Sequence, residues 1–166
     1  MKYYENGQGL NSNILKGIDV LADNVASTLG PRGRNVILYH KDENIPVITK
    51  DGVTVAKFVE VEDPLENVGV QILKQAAEQT NTKAGDGTTT STVLARAILK
   101  GAQKYLLAGA SPIELKRGID LAVDAIVENL KEMALPIQSE EDIAHIATIS
   151  ANNDKSICTL IATAVD

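Results

Sequence analysis

The sequence predicts a mainly α-helical fold that carries one β-hairpin. Apolar residues recur at helical spacing over several long stretches, most of them opened by a capping residue or closed by glycine or proline. One pair of short β-branched runs, 35–40 and 45–49, is joined by four polar residues. No strand alternates with helices in the manner of a parallel sheet. With 166 residues and 17.7 kDa, the chain suits one compact domain, or a domain and the start of another.

In chain order, Asn11 or Ser12 is placed to cap a first helix with the stripe Ile14, Leu15, Ile18, Leu21, Ala22 and Val25. It should end near Gly30-Pro31, because proline cannot continue it and Gly30 can take positive φ. The hairpin follows, with residues 41–44 as its loop. Asp51-Gly52 breaks the second strand, and residues 53–59 fit either a strand or a short helix. Asp63-Pro64 opens a helix whose apolar face is Leu65, Val68, Ile72 and Ala76, as far as Gly85. After Gly87, residues 88–107 are helical through Val93, Leu94, Ala97 and Ile98. Ser111-Pro112 starts a long amphipathic helix through Leu115, Ile119, Ala122, Val123, Ile126, Leu130 and Met133, ended by Pro136. Ser139 with Asp142 resembles a capping box for 143–149. Asn153 or Asp154 is placed to cap a last helix with Ile157, Leu160, Ile161 and Ala164, which has no stop signal.

Composition narrows the function classes. Hydrophobic residues at 44% and charged residues at 23% give a soluble, globular balance. No apolar run approaches the ~18 residues of a membrane span, and the first ten residues lack a secretory core. With no signal or transit peptide seen, a cytoplasmic location is expected. Cys158 is the sole cysteine, which precludes an internal disulfide, and two histidines, His40 and His145, do not complete a zinc cage. Four Tyr, one Phe and no Trp leave little for stacking bases, and a net charge of −6 disfavours nucleic acid.

Chemistry is concentrated at the glycine-punctuated breaks. In Ala84-Gly85-Asp86-Gly87-Thr88-Thr89-Thr90 a helix begins, where free amides and the dipole favour a phosphate. The glycines permit close approach and three hydroxyls add donors. Asp86 has the wrong charge for phosphate but the right one for Mg²⁺ beside it. A plain helix cap is the competing reading, although three β-branched threonines are poor helix formers. The break from Thr28 to Asn35 holds Gly30 and Gly33, whose amides are candidates for an anion-binding concavity, with Arg32 and Arg34 nearby. The alternative is a simple helix-to-strand turn. Asp51, in Thr49-Lys50-Asp51-Gly52, is a candidate to orient a water for attack on a γ-phosphate, against a solvated turn. Neither a Walker A lysine nor a third dinucleotide-fingerprint glycine is present.

Five motifs occur in one order: Thr28-Leu29-Gly30-Pro31-Arg32-Gly33-Arg34-Asn35, Ile48-Thr49-Lys50-Asp51-Gly52-Val53, Gly85-Asp86-Gly87-Thr88-Thr89-Thr90, Leu115-Lys116-Arg117-Gly118-Ile119-Asp120 and Thr148-Ile149-Ser150-Ala151-Asn152. Together they resemble the bacterial and organellar 60-kDa chaperonins, from about residue 10 to residue 166. The resemblance implies an ATPase that assists protein folding, with equatorial, intermediate and apical domains, seven-membered rings of self and a small lid co-chaperonin. It implies ATP/ADP lined by Leu29, Gly30 and Pro31, with Gly85, Gly87, Thr88, Thr89 and Thr90 on the phosphates. Asp86 would hold Mg²⁺, Asp51 would be catalytic, and the backbone of Thr28 and Lys50 would serve K⁺. Ile149, Ser150 and Asn152 would reach the nucleotide from the intermediate-domain junction.

By the same resemblance, 1–135 belongs to the equatorial domain and 136–166 starts the intermediate domain. The apical domain, which would take unfolded proteins and the lid, has no counterpart here. The loop 41–44 lacks the glycine common at that hairpin tip, and the first strand of the family is only loosely matched by Tyr3-Tyr4-Glu5-Asn6. A non-catalytic helical module that associates with chaperonin rings is the competing expectation.

Overall fold

The computed structural model describes residues 6–40 and 45–151, together with residues 160 and 164. Its elements run α1 (Gly7–Ala26), β1 (Val36–Tyr39), β2 (Pro46–Thr49), α2 (Gly52–Phe58), α3 (Pro64–Ala84), α4 (Thr88–Leu107), α5 (Pro112–Met133) and α6 (Glu140–Ser150). The mainly helical fold with one two-stranded hairpin matches the expectation. Contacts divide the chain into a unit of Met1–Ala110 and a unit of Ser111–Asp166. No helix among the described residues is long and apolar enough to cross a membrane.

In the first unit, α1 packs on both α3 and α4. The core takes Ile18, Leu21, Ala22 and Val25 from α1, and Val70, Leu73 and Ala77 from α3. Val55 and Ala56 of α2 and Leu38 of β1 complete it, with Ala95 and Leu99 of α4 packed against its edge. Each fully buried Ile, Leu or Val stabilises the fold by roughly 1.5–3 kcal/mol. Glycine sets the spacing of α1 and α3. A Cβ at Gly17 would stand 1.8 Å from the Glu66 carbonyl oxygen, and one at Gly69 would stand 2.0 Å from that of Ile14. Along the α1–α4 seam, Lys100 pairs with Asp19 at 2.8 Å and Arg96 pairs with Asp23.

The hairpin pairs Val36 with Thr49, Ile37 with Ile48, Leu38 with Val47 and Tyr39 with Pro46, antiparallel. Pro46 opens its strand, a position that tolerates a missing N–H. The loop expected at 41–44 lies outside the described residues.

Helix boundaries follow the sequence signals closely. Asp63 caps α3 through the Leu65 and Glu66 amides, with Pro64 in the first turn. Ser111 caps α5, and Ser139 and Asp142 form the capping box of α6. The helix expected beyond Asn153 lies outside the described residues, except that Leu160 and Ala164 are helical.

Two expectations need correction. First, α1 begins at Gly7 rather than after Asn11 or Ser12, since extending an established helix gains a hydrogen bond per residue fixed. It also ends at Ala26, before Gly30, and closes with i→i−3 bonds from the Thr28 and Leu29 amides.

Second, the inward faces of α3 and α4 differ from those expected. Gly69, Val70, Leu73, Lys74 and Ala77 of α3 are buried, whereas Val68 and Ile72 are exposed. In α4, Thr88 and Thr92 are buried, while Leu94 and Ile98 face outward. The reason is steric: Gly69 allows the closest approach, so the side of α3 bearing it turns towards α1.

The long amphipathic helix expected after Ser111 is α5, and among the described residues none of its residues is buried. Leu115 and Ile119 are half-buried, and Leu121, Val123, Ile126, Leu130 and Met133 are exposed. Residues 53–59, ambiguous in sequence, are helical as α2 except for Val59, its C-cap.

Candidate functional site

The turn between α3 and α4 takes only three residues, and two glycines make it possible. Gly85 ends α3 at φ +71° and donates its N–H to Asn81 O at 2.9 Å, and Gly87 precedes α4 at φ +82°. Both conformations are left-handed and strained for a side-chain-bearing residue. Asp86 between them is exposed, and its Oδ1 accepts the Gly87 N–H at 2.6 Å. Gly87 has no side chain with which to cap α4. The first-turn amides of Thr88, Thr89 and Thr90 therefore lack a helical carbonyl partner and sit at the positive end of the dipole. Ser91 and Thr92 instead direct their hydroxyls back to the Thr88 carbonyl at 2.9 and 2.8 Å, which satisfies the buried Thr92.

Asp51 caps α2. Its carboxylate accepts the Val53 N–H at 3.3 Å, the Thr54 N–H at 2.9 Å and the Thr54 hydroxyl. Its own N–H donates to Thr49 Oγ1 at 3.0 Å. Local bonds of this kind, together with the helical bond from Val55 N–H to Asp51 O, hold a half-buried carboxylate in one orientation. The sequence signals missed Gly52 as a packing residue. A Cβ there would stand 2.2 Å from Thr89 Oγ1 and 3.5 Å from Thr88 Oγ1, so the start of α2 rests directly on the start of α4.

The end of α1 arrives at the same point. Thr28 Oγ1 lies 3.3 Å from Thr89 Oγ1 and donates its proton to Val25 O at 2.7 Å. Each hydroxyl has one proton, so Thr89 is the donor to Thr28. Thr89, at the start of α4, is thus where the segments containing Thr28 and Gly52, far apart in sequence, meet it.

The Gly30–Gly33 concavity is not formed as expected. The Gly33 N–H donates to Gly30 O at 2.9 Å and the Arg34 N–H donates to Ser27 O at 2.8 Å, so the Gly33 amide is used within the turn. A Cβ at Gly33 would stand 2.2 Å from the Thr28 carbonyl, which makes glycine necessary for closure. Leu29, Gly30, Pro31 and Lys50 are exposed. Ile149 and Ser150 end α6 in the second unit and are exposed there, while Asn152 lies outside the described residues. Among the described residues, no group of three or more His, Cys, Asp or Glu is gathered to hold a metal.

The helical array, with one hairpin among the described residues, is consistent with a fragment of a chaperonin equatorial domain. A model of the TCP-1/cpn60 chaperonin family matches residues 21–166, and the chain belongs to that family. Among solved structures it is similar to the chaperonin gp146 from the bacteriophage EL 2 (Pseudomonas aeruginosa), crystallised in the presence of ATP-BeFx. The two share 26% identity at a TM-score of 0.75, over 94% of this chain and 27% of that one. The chain therefore spans about a quarter of the length of that chaperonin.

Proposed function

We propose that the chain carries the ATP-binding face of a folding-assisting chaperonin ATPase of the bacterial or organellar branch. The observation that carries this reading is the convergence of the Thr28 and Gly52 segments on Thr89, at a helix start whose amides are open to an anion. The amides and hydroxyls of Thr88, Thr89 and Thr90 bind the phosphates, which Gly85 and Gly87 leave accessible. Leu29, Gly30 and Pro31 line the nucleotide from the α1 side. Ile149, Ser150 and Asn152 are the further nucleotide-binding residues that membership of the family suggests.

The exposed Asp86 carboxylate fits Mg²⁺, an ion held by one or two carboxylates together with phosphate oxygens and water. When bound, Mg²⁺ neutralises charge on the phosphate oxygens. The Thr28 and Lys50 carbonyls are the proposed K⁺ ligands. Asp51 orients the attacking water: its carboxylate is fixed by the amides of α2 and remains an acceptor for a water proton. Hydrolysis forms the water–phosphorus bond and breaks the bond to the leaving ADP oxygen. Association into seven-membered rings, with unfolded proteins and a lid co-chaperonin as partners, is proposed for the whole subunit. This reading also takes 1–135 as equatorial and 136–166 as intermediate domain.

The test is titration of the chain with Mg·ATP by calorimetry, for wild type, Asp86→Ala and Asp51→Ala. Asp86→Ala is expected to lose Mg²⁺-dependent affinity, and Asp51→Ala to keep binding. Identical Mg²⁺-dependent heats in wild type and Asp86→Ala would remove the reading. Turnover is to be compared in a chain that spans the whole subunit, because positioning by the complete site supplies most of phosphoryl-transfer catalysis.

A further inference from the structure

Lys74 is the one buried charged side chain among the described residues, 7% exposed in the middle of α3. Burying an ammonium is costly unless it is hydrogen-bonded, and Lys74 Nζ donates to the Lys57 carbonyl at 2.8 Å. Lys57 lies in the last turn of α2, where carbonyls lack helical partners and the dipole is negative, so a cation there is doubly favoured. A core facing Val70, Leu73 and Ala77 has no need of a charge for packing. What the ammonium adds is a fixed end-point for α2.

That helix is only seven residues long, roughly 10 Å of rigid rod at 1.5 Å per residue. Val55 and Ala56 hold its middle in the core, and Gly52 seats its start on Thr89. Asp51 is the cap at that start. We infer that Lys74 is a positioning residue for Asp51: by tethering the last turn of α2 it fixes where the cap at the other end of that helix, next to the Gly52–Thr89 contact, holds its carboxylate. The functional weight of that position rests on the ATP-site reading above, whereas the tether itself does not.

The experiment compares amide hydrogen exchange at Val53 and Thr54, whose N–H groups bind the Asp51 carboxylate, in the full 166-residue chain. The variants are Lys74→Met, which removes the donor, Lys74→Arg, which keeps one, and Leu73→Ala, a core lesion on the same helix. Exchange at Val53 and Thr54 is expected to accelerate about tenfold in Lys74→Met beyond the change in Leu73→Ala at matched global stability, with recovery in Lys74→Arg. Equal acceleration in Lys74→Met and Leu73→Ala at matched stability, or no recovery with arginine, would overturn the inference. If Lys74→Met does not fold, Lys74→Gln takes its place with the same two outcomes. Absence of Mg·ATP binding by the wild-type chain would defeat the ATP-site reading and leave the exchange result intact.

Discussion

Gly52 and Thr89 meet with no space between them for a side chain: a methyl group on Gly52 would lie 2.2 Å from the Thr89 hydroxyl. Nothing in local sequence brings these residues together, and their contact joins two helix starts into one surface.

The first prediction follows from that contact. Gly52→Ala should destabilise the chain by about 1–3 kcal/mol, the range for overpacking. Much of the cost should vanish in a Thr89→Ala background, since the blocking atom is a side-chain oxygen and the next, Thr89 Cβ, is at 3.3 Å. A double-mutant cycle by chemical denaturation measures the coupling. Additive losses would mean that the two residues do not compete for one space.

Asp51 combines a structural and a proposed chemical task, and two substitutions separate them. Asparagine caps helices about as well as aspartate, whereas alanine at an N-cap costs about 0.5–2 kcal/mol. Asp51→Asn keeps one acceptor oxygen where both are used and should lose less than Asp51→Ala, which should lose on the order of 1 kcal/mol. In a chain spanning the whole subunit, both should bind Mg·ATP yet hydrolyse it slowly. Full hydrolysis by Asp51→Asn would show that the charge is not needed.

Glycines elsewhere sort by what surrounds them. Gly17→Ala and Gly69→Ala drive a methyl into backbone of the facing helix, which cannot rotate away, so each should cost about 3 kcal/mol, the upper end for overpacking. Gly101 in α4 and Gly118 in α5 lie inside helices, and a methyl group added at either would meet nothing within 4 Å. Alanine there should stabilise by roughly 0.5–1 kcal/mol. Thermal melts of the four variants check the ordering.

The capping box of α6 gives a pH dependence. The Gln138 amide, and after it Ser139, hold the Asp142 carboxyl below its ordinary 3.8, with the nearby His145 adding to the effect. A carboxyl whose pKa is lowered on folding contributes stability above its unfolded pKa and loses it as pH falls through the folded one. Amide resonances of α6 should thus be constant down to about pH 5 and fray only below about pH 4. Ser139→Ala should narrow that stable range at its acid end. Fraying already between about pH 5 and 7 would point to a different titrating group.

The sequence by itself determined where most of the helices start and stop. Asp63-Pro64, Ser111-Pro112, Gly85 and the Ser139–Asp142 box act over one turn, through amides and carbonyls of their own neighbourhood, so they are legible residue by residue. The hairpin was legible for the same reason, as was the polar start of α4. Tertiary structure decided what spacing cannot encode. Seven residues after Asp51 are helical because Val55 and Ala56 enter the core and Lys74 holds the end, long-range contacts that overrule β-branched propensity. The inward face of α3 was set by the glycine crossing with α1, since a 3.6-residue period gives a stripe but not its partner. The meeting of Thr28, Gly52 and Thr89 likewise exists only once three separate segments are packed, because hydroxyl contact at 3.3 Å depends on the placement of whole helices.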